Sequence, residues 1–370
     1  MKHLLKLLLV IANIGVGAAL VISALSTLFD AQEHPRIVIA AMSFPVWVPP
    51  AVAILILDFF AMRKWCLWMA ICIGCSLPMI FTVYPVNIKR GAVPEELQPK
   101  SWTLLSYNIS QFIDVRSEKR DTTYETLKYI LDKDADVVVL VEAAGNLKNP
   151  KLNIKHAFVE ILRERYPYVL LNTDIALLSK FPADTVQLAE FPLQQYKNSS
   201  GNSKAGCWIV DIHGEKTAIF GLHLKSLGLT DDDKFLYEEF TRGEGLTSRA
   251  EISEAKNDLI GKVAKANQIR AEQMQPLLDA INEIGVSNVI VCGDFNDTPG
   301  CYALTKLEED GFREVYPLVG NGYMNTFNRS RLLFQIDHIL FRGSMRPWAI
   351  ERGDLKTSDH YPLFATFIQD

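Results

Sequence analysis

Apolar residues crowd into the first eighty-odd positions of this 370-residue chain, and that distribution constrains its architecture before any motif is considered. Leu4–Phe29 is uncharged apart from Lys6, and a helix crosses a bilayer with about 20 apolar residues. Ile37–Met62 and Trp65–Val86 have the same character, the former with Asp58 near its end and Pro45, Pro49 and Pro50 along it. Prolines are tolerated in membrane helices when neighbours satisfy the freed carbonyls. A cleaved signal peptide is the alternative for the first run, because Lys2 and Lys6 precede it. The run is overlong for that, and two more follow, so three transmembrane helices are expected in residues 1–86. Lys2, Lys6 and Arg63-Lys64 mark cytoplasmic ends, whereas the first loop holds Asp30, Glu33 and only Arg36. The N-terminus is therefore expected inside, and everything after Asn87 outside.

Residues 87–100, with Gly91, Pro94, Glu95, Glu96 and Pro99, read as a polar linker, and a domain is expected over residues 101–370. Short apolar runs recur there: Trp102–Tyr107, Val137–Val141, Val169–Leu171, Ile175–Leu178, Cys207–Val210, Thr217–Leu222, Asn288–Cys292, Ile336–Phe341 and Leu363–Phe367. Five successive apolar residues in Val137–Val141 mark a strand covered on both faces. Helical periodicity at Tyr124–Leu131, Phe158–Glu164 and Asn267–Ile284 separates some of these runs, which predicts two packed sheets with helices outside. A charge-rich insertion over Ser226–Ala266, with Asp231-Asp232-Asp233 and Glu238-Glu239, is expected to form one or two solvated helices, a surface feature or a wall beside the His223 strand. The six cysteines lie mostly in apolar runs and read as buried thiols rather than a disulfide framework. A formal charge of -5 argues against a basic, polyanion-coating surface.

Residues able to carry chemistry stand at the ends of these runs: Asn108, Glu142, His223, Asp294, Asn296, Asp337, Asp359 and His360. A sheet that aligned these ends would gather an amide, several carboxylates and two imidazoles at one edge. Asp294 and Asn296 occupy alternate positions, which in a strand point the same way. Gly293-Asp-Phe-Asn-Asp-Thr-Pro-Gly300 is equally a turn that Asp and Asn would cap. Glu142 ends a strand covered on both faces, where an ionised carboxylate needs a partner or a metal. Oxygen donors of this kind suit a hard cation, Mg²⁺ first, with Mn²⁺ or Ca²⁺ as alternatives. Asp337 is suited to fix the tautomer of an imidazole, whereas a lone histidine such as His223 is more often a hydrogen-bonded core residue. The soluble part contains no Cys-x-x-Cys pair, His-Glu-x-x-His helix, P-loop or Gly-x-Ser-x-Gly elbow, which argues against zinc sites of those types and disfavours P-loop nucleotide hydrolysis and elbow-type serine hydrolysis.

Leu105-Ser-Tyr-Asn108, Val138-Val-Leu-Val-Glu142, Gly221-Leu-His-Leu-Lys-Ser226, Gly293-Asp-Phe-Asn296, Ile336-Asp-His-Ile-Leu340 and Ser358-Asp-His360 resemble, in order, the motifs of the endonuclease/exonuclease/phosphatase (DNase I-like) superfamily. The resemblance covers about residues 101–370 and implies a four-layered α/β sandwich, here preceded by three transmembrane helices as in membrane-tethered bacterial members. It assigns Asn108, Glu142 and Asp359 to the metal neighbourhood, and Asp294 and Asn296 to the attacking water and the phosphate. Asp337 would orient His360, and His223 would contact the phosphate or assist the leaving group, with the general base either Asp294 or His360. Arg270 and Gln273 resemble an Arg-x-x-Gln helix element of some branches, a structural or phosphate-side support. Val141 stands where many members have Gln, and no Asp follows Asn108 closely, departures that bear on the substrate.

The expected activity is Mg²⁺-dependent hydrolysis of phosphodiester bonds at the outer side of a bacterial-type inner membrane. A nuclease is the commoner activity in such a family. A phospholipid headgroup or sphingomyelin-type phosphodiesterase is the alternative, favoured by the tether and the acidic balance, because a polyanionic duplex draws on Lys and Arg. A catalytically silent membrane scaffold is the reading from another class. The partners implied are the phosphodiester substrate, nucleic acid or phospholipid headgroup, and the lipid bilayer itself.

Overall fold

The structure is a computed structural model and describes residues 2–114, 120–143, 160–172, 174–186, 204–228, 249–329 and 332–369. Helix α1 (Lys2–Leu25) continues as a 3-10 turn, and α2 (Phe44–Ala61) is preceded by another. The resulting segments Leu4–Leu28 and Val38–Ala61, with mean hydropathies of 2.4 and 2.0, are long and apolar enough to cross a membrane. The third expected span is not one straight helix. Helices α3 (Arg63–Cys75) and α4 (Leu77–Val83) meet at 64° around Ser76. Pro78 stands in the first turn of α4, where its ring is incompatible with a continuous helix through the preceding turn. The Ser76 amide bonds Ile73 O (3.0 Å) and its hydroxyl donates to Cys72 O (2.9 Å), satisfying the carbonyls left at the break. Helix α3 lies against α1, with Trp68 Nε1 donating to Asn13 O at 3.4 Å.

In chain order the strands are β1 (Ser101–Asn108), β2 (Ile113–Asp114), β3 (Arg120–Asp121), β4 (Val137–Val141), β5 (Tyr168–Asn172), β6 (Ile175–Ser179) and β7 (Ala183–Val186). They continue as β8 (Lys204–Ile212), β9 (Glu215–His223), β10 (Asn288–Asp294), β11 (Arg313–Glu314), β12 (Asp337–Arg342), β13 (Met345–Arg352) and β14 (Leu363–Gln369). Two six-stranded sheets form, ordered β13-β14-β1-β4-β6-β5 and β11-β12-β10-β9-β8-β7. Each has one parallel pair at its centre, β1 with β4 and β10 with β9, among antiparallel neighbours.

Period-two alternation separates the layers. Leu104, Val137 and Val139 of the first sheet meet Ile219, Ile290, Cys292 and Phe341 of the second in one core. The intervening residues Leu105, Val138 and Leu140 face α5 (Thr123–Lys133) through Leu127 and Ile130. On the other side Phe220, Leu222, Val289 and Val291 face α6 (Arg249–Ile284) and α7 (Tyr302–Glu309) through Met274, Leu277, Leu304 and Leu307. The result is helix, sheet, sheet, helix. Gly221 marks the closest approach of the sheets, since a Cβ there would lie 2.7 Å from Ile175 Cγ2 and 2.9 Å from Val139 Cγ1.

Several features differ from the sequence expectation. Strand β13 mixes polar and apolar residues around Pro347, and it forms because an edge strand tolerates proline at its bulge. The acidic part of the insertion, 229–248, lies outside the described residues, as do Phe158 and Val159. From Arg249 the chain joins the expected Asn267–Ile284 helix into the single 36-residue α6. Part of the linker is a docked strap: Asn87 Nδ2 donates to Pro317 O (3.0 Å) and Gly320 O (2.7 Å), Arg90 Nη1 to Pro347 O (3.1 Å), and Trp348 Nε1 to Gly91 O (3.0 Å).

The helical bundle and the sandwich touch at one end of the bundle. Asp30 Oδ2 accepts from Tyr302 OH (3.4 Å), Gln32 Nε2 donates to Ala271 O (3.3 Å), and Asn267 Nδ2 donates to Pro35 O (3.3 Å). Gly322 N donates to Pro85 O (2.8 Å) and the rings of Tyr84 and Tyr323 lie 5.5 Å apart. Thr27 and Met79 both border Gly300. The end of α1, the first loop and the end of α4 therefore face the sandwich together.

Candidate active site

Strand register assembles the site. Asp294, last residue of β10, is paired with His223 of β9 on one side and Asp337 of β12 on the other. In the first sheet Asn108 of β1 is level with Val141, one residue before Glu142. Strand β14 runs antiparallel to β1, so Asp359 and His360, just before it, arrive at the same edge.

Asp294 is the hub and is buried. Its Oδ2 accepts from Asn108 Nδ2 (3.0 Å) and lies 3.8 Å from His223 Nε2 and 3.6 Å from His360 Nε2. Asn108 Nδ2 also reaches Glu142 Oε1 (3.2 Å), which is 3.9 Å from His223 Nε2. On the far side of the ring His360 Nδ1 donates to Asp337 Oδ2 (2.8 Å), which fixes the tautomer and turns Nε2 toward Asp294. The ring of Phe327 meets His360 edge-on at 5.2 Å. His223 is thus in the cluster rather than an isolated core histidine.

Asn296 arrives by the turn and not by strand alternation. Its φ is 54°, its N–H donates to Asp294 Oδ1 (2.8 Å), and its Nδ2 donates to Leu224 O (3.1 Å). Asp359 sits at the rim with Oδ2 3.9 Å from Arg329 Nη1. Glu142 adopts φ 56°, a conformation side-chain-bearing residues rarely take, and its carbonyl accepts from Gln111 N (3.0 Å). Gly293 is required at φ 130°, because a Cβ there would lie 2.2 Å from Leu222 O.

The turn after Asp294 is braced from beneath. Arg270, buried within α6, donates through Nε to Asp297 Oδ2 (3.1 Å), through Nη1 to Lys225 O (2.9 Å), and to Asn267. Gln273 Oε1 accepts from Lys225 N at 3.4 Å. His338 bonds Asp297 O (2.9 Å) and Glu314 Oε1 (2.7 Å). Arg270 and Gln273 therefore hold the backbone after His223 and Asp294, the structural one of their two expected roles. The Asp297 and His338 partners carried no sequence signal beyond lying inside the motifs.

Burial shapes the charges. It raises Glu142 above the ordinary carboxylate range, opposed by the Asn108 hydrogen bond. Burial likewise raises Asp294, opposed mainly by His360. For His360 burial favours the neutral ring, but Asp337, Asp294 and Asp359 outweigh it and lift the pKa to about 10. The site thus presents an imidazolium beside carboxylates held in a poorly solvated place, an arrangement characteristic of acid-base centres.

The donor set fits a divalent cation. Glu142, Asp294, Asp337 and Asp359 surround only two imidazoles, and Asp294, Asp337 and His360 each offer a ligand atom within 4.8 Å of the others. In that trio the Asp337–His360 hydrogen bond already engages one atom of each partner. Glu142, with a side chain 25% exposed against 2% for Asp294, is the carboxylate open to an incoming ion.

The sequence model of the Endonuclease/Exonuclease/phosphatase family matches residues 105–360, from β1 to His360 itself. The chain belongs to this family. No curated protein sequence matches it. Solved structures similar to it include truncated Caenorhabditis elegans TDP2, at 16% identity and a TM-score of 0.44 over 74% of this chain and 100% of that one. An endonuclease/exonuclease/phosphatase from Beutenbergia cavernae matches at 14% identity and a TM-score of 0.48 over 73% and 72% of the two chains. A beta toxin from Staphylococcus aureus matches at 16% identity and a TM-score of 0.46 over 71% and 99%.

Proposed function

We propose that this family member is a membrane-held, divalent-metal-dependent hydrolase of phosphodiester bonds, with Mg²⁺ as the expected ion and Mn²⁺ or Ca²⁺ as alternatives. One observation carries the reading: Asp294 Oδ2 is shared among Asn108, His223 and His360, so a carboxylate faces two imidazole Nε2 atoms and an amide at one point. Glu142 with Asn108, and Asp359 at the rim, would hold the cation, which when bound supplies neutralisation of charge on the phosphoryl oxygens.

Asp294 takes the proton of the attacking water, and Asn108 keeps its carboxylate oriented. His360, kept as the imidazolium by Asp337, stabilises negative charge developing on the phosphate. His223 stands where it can serve the leaving oxygen. Water supplies one oxygen to phosphorus, one P–O ester bond breaks, and a phosphomonoester and a free alcohol leave. Low solvent exposure strengthens each of these interactions.

Three crossings with the catalytic domain outside the cytoplasm of a bacterial-type inner membrane complete the reading: the sidedness rests on Lys2, Lys6 and Arg63-Lys64, and the bundle contacts agree with an odd number of crossings. The 3-10 turn after α1 borders Gly300 of the sandwich, the loop before α2 meets it through Pro35, and the bent α3–α4 pair returns to it through Tyr84 and Pro85. The test is a panel assay of the full chain in detergent against DNA, RNA, phospholipids and phosphomonoesters, with and without Mg²⁺. Metal-dependent diester cleavage is expected; phosphomonoester cleavage alone would overturn the reading.

A further inference from the structure

Beside Asn296 the cleft opens into a small notch of about 100 Å³ walled by Leu227, Phe327, Leu332, Phe334 and Ile336. Asn296 and Phe327 both line the notch, and the Phe327 ring meets His360 edge-on at 5.2 Å, which places the notch next to the reacting centre. Five of the eight lining residues carry apolar side chains, against Ser226, Gly228 and Asn296, a composition that suits carbon chains. Its position is equally specific. Leu333, 53% exposed between two wall residues, accepts through its carbonyl from Tyr323 OH. Tyr323 lies against Tyr84 at the end of the bundle, the rings 5.5 Å apart and tilted by 35°, and packs into the bundle's own apolar cluster. On the other flank the turn that carries Asn296 reaches Gly300, which rests on Thr27 and Met79. Chain neighbours of both walls thus lead to the end of the bundle, through Leu333 and Tyr323 on one side and through Gly300 on the other. A larger cavity of about 1000 Å³ beneath the Val86–Arg90 strap is lined by none of the site residues.

We infer that the substrate is a membrane lipid carrying a phosphodiester, with its phosphate at Asp294 and His360 and its first apolar carbons in the Leu227–Phe334 notch, entering from the bilayer side. This rests on the phosphodiesterase reading above and names its substrate class. With room for only a few groups the size of water, about 30 Å³ each in the liquid, the notch takes the root of a chain while the rest stays in the membrane. Water adds to phosphorus, the ester bond to one alcohol breaks, and that alcohol leaves with a proton while a phosphomonoester remains.

The test uses the full chain reconstituted in phosphatidylglycerol vesicles with Mg²⁺ and two probes sharing a 4-nitrophenol leaving group. One is bis(4-nitrophenyl) phosphate; the other is a dioleoylglycerol 4-nitrophenyl phosphodiester placed in the vesicles. The lipid probe should be preferred in kcat/KM by about tenfold or more, the scale on which an apolar pocket discriminates. Leu227→Ser and Phe334→Ser should each lower the lipid-to-soluble ratio by about tenfold, and Phe334→Leu should preserve it. A ratio near one in the parent chain, or one unmoved by both serine variants, overturns the lipid inference and leaves phosphodiester hydrolysis standing. Preference for an oligonucleotide over the lipid probe overturns it in the same way. If neither probe nor an oligonucleotide is cleaved with Mg²⁺, Mn²⁺ or Ca²⁺, the phosphodiesterase reading falls and the inference with it.

Discussion

Replacing Asp337 by Asn exchanges one oxygen for one nitrogen at the atom that orients His360. The backbone at this point is held independently, since Thr326 Oγ1 accepts from the N–H groups of Ile336 (2.9 Å) and Asp337 (3.0 Å), so the perturbation stays in the side chain. What is lost is the 2.8 Å charged hydrogen bond to His360 Nδ1. A hydrogen bond to a charged group contributes about 1.5–3 kcal/mol, which sets the expected loss of stability at neutral pH. The sign with pH follows from linkage. His360 is raised to about 10, so its contribution is complete below its unfolded value of about 6.5 and disappears as pH rises through about 10. The stability gap between the two forms should therefore close toward that pH. Turnover should fall by about 10²–10⁴, about 3–5 kcal/mol of barrier, because the imidazole is no longer held charged and correctly turned. Initial rates on a soluble diester with Mg²⁺ from about pH 6 to pH 10, with thermal melts alongside, measure both effects. The alkaline limb should move to lower pH in the variant. Turnover within about threefold of the parent and an unmoved limb would refute the orienting role.

Glu142→Gln should shift the Mg²⁺ concentration giving half-maximal activity upward while leaving the fold intact; an unchanged midpoint with a lower maximal rate would assign Glu142 to the phosphate or to His223. Arg270→Met leaves the Asp297 carboxylate buried without its partner, and urea unfolding should show a loss of about 3–5 kcal/mol, with a loss below about 1 kcal/mol refuting the brace. A reporter joined after Asp370 should be active only outside the cytoplasm, and cytoplasmic activity would overturn the three-span topology.

The parts of the molecule legible in the sequence are those governed by local pattern. Val137–Val141 is a strand with those bounds because five consecutive apolar residues need cover on both faces, which α5 and the second sheet supply. The site residues were visible because strand ends are where polar groups interrupt apolar runs. Sheet order was not visible: the pairing of Asp294 with both His223 and Asp337 joins residues 71 and 43 positions apart and depends on long-range register. Asn296 shows a local rule overridden, since the strand ends at Asp294 and an Asx-type bond takes the chain into a turn. Composition identified 65–86 as apolar, but the break at Ser76 depends on Pro78 two residues later. The strap at residues 87–91 has a linker's composition and docks through side-chain and backbone bonds that composition does not encode.

Whether Asp294 and His360 act as one unit on a phosphodiester is measured most directly by the Mg²⁺-dependent kcat of the full chain on bis(4-nitrophenyl) phosphate in four forms: parent, Asp294→Ala, His360→Ala and the double variant. Each single change should lower turnover by about 10² or more with the protein still folded, and the double variant should be little worse than the poorer single one. Near-parental turnover in both folded single variants would contradict the mechanism.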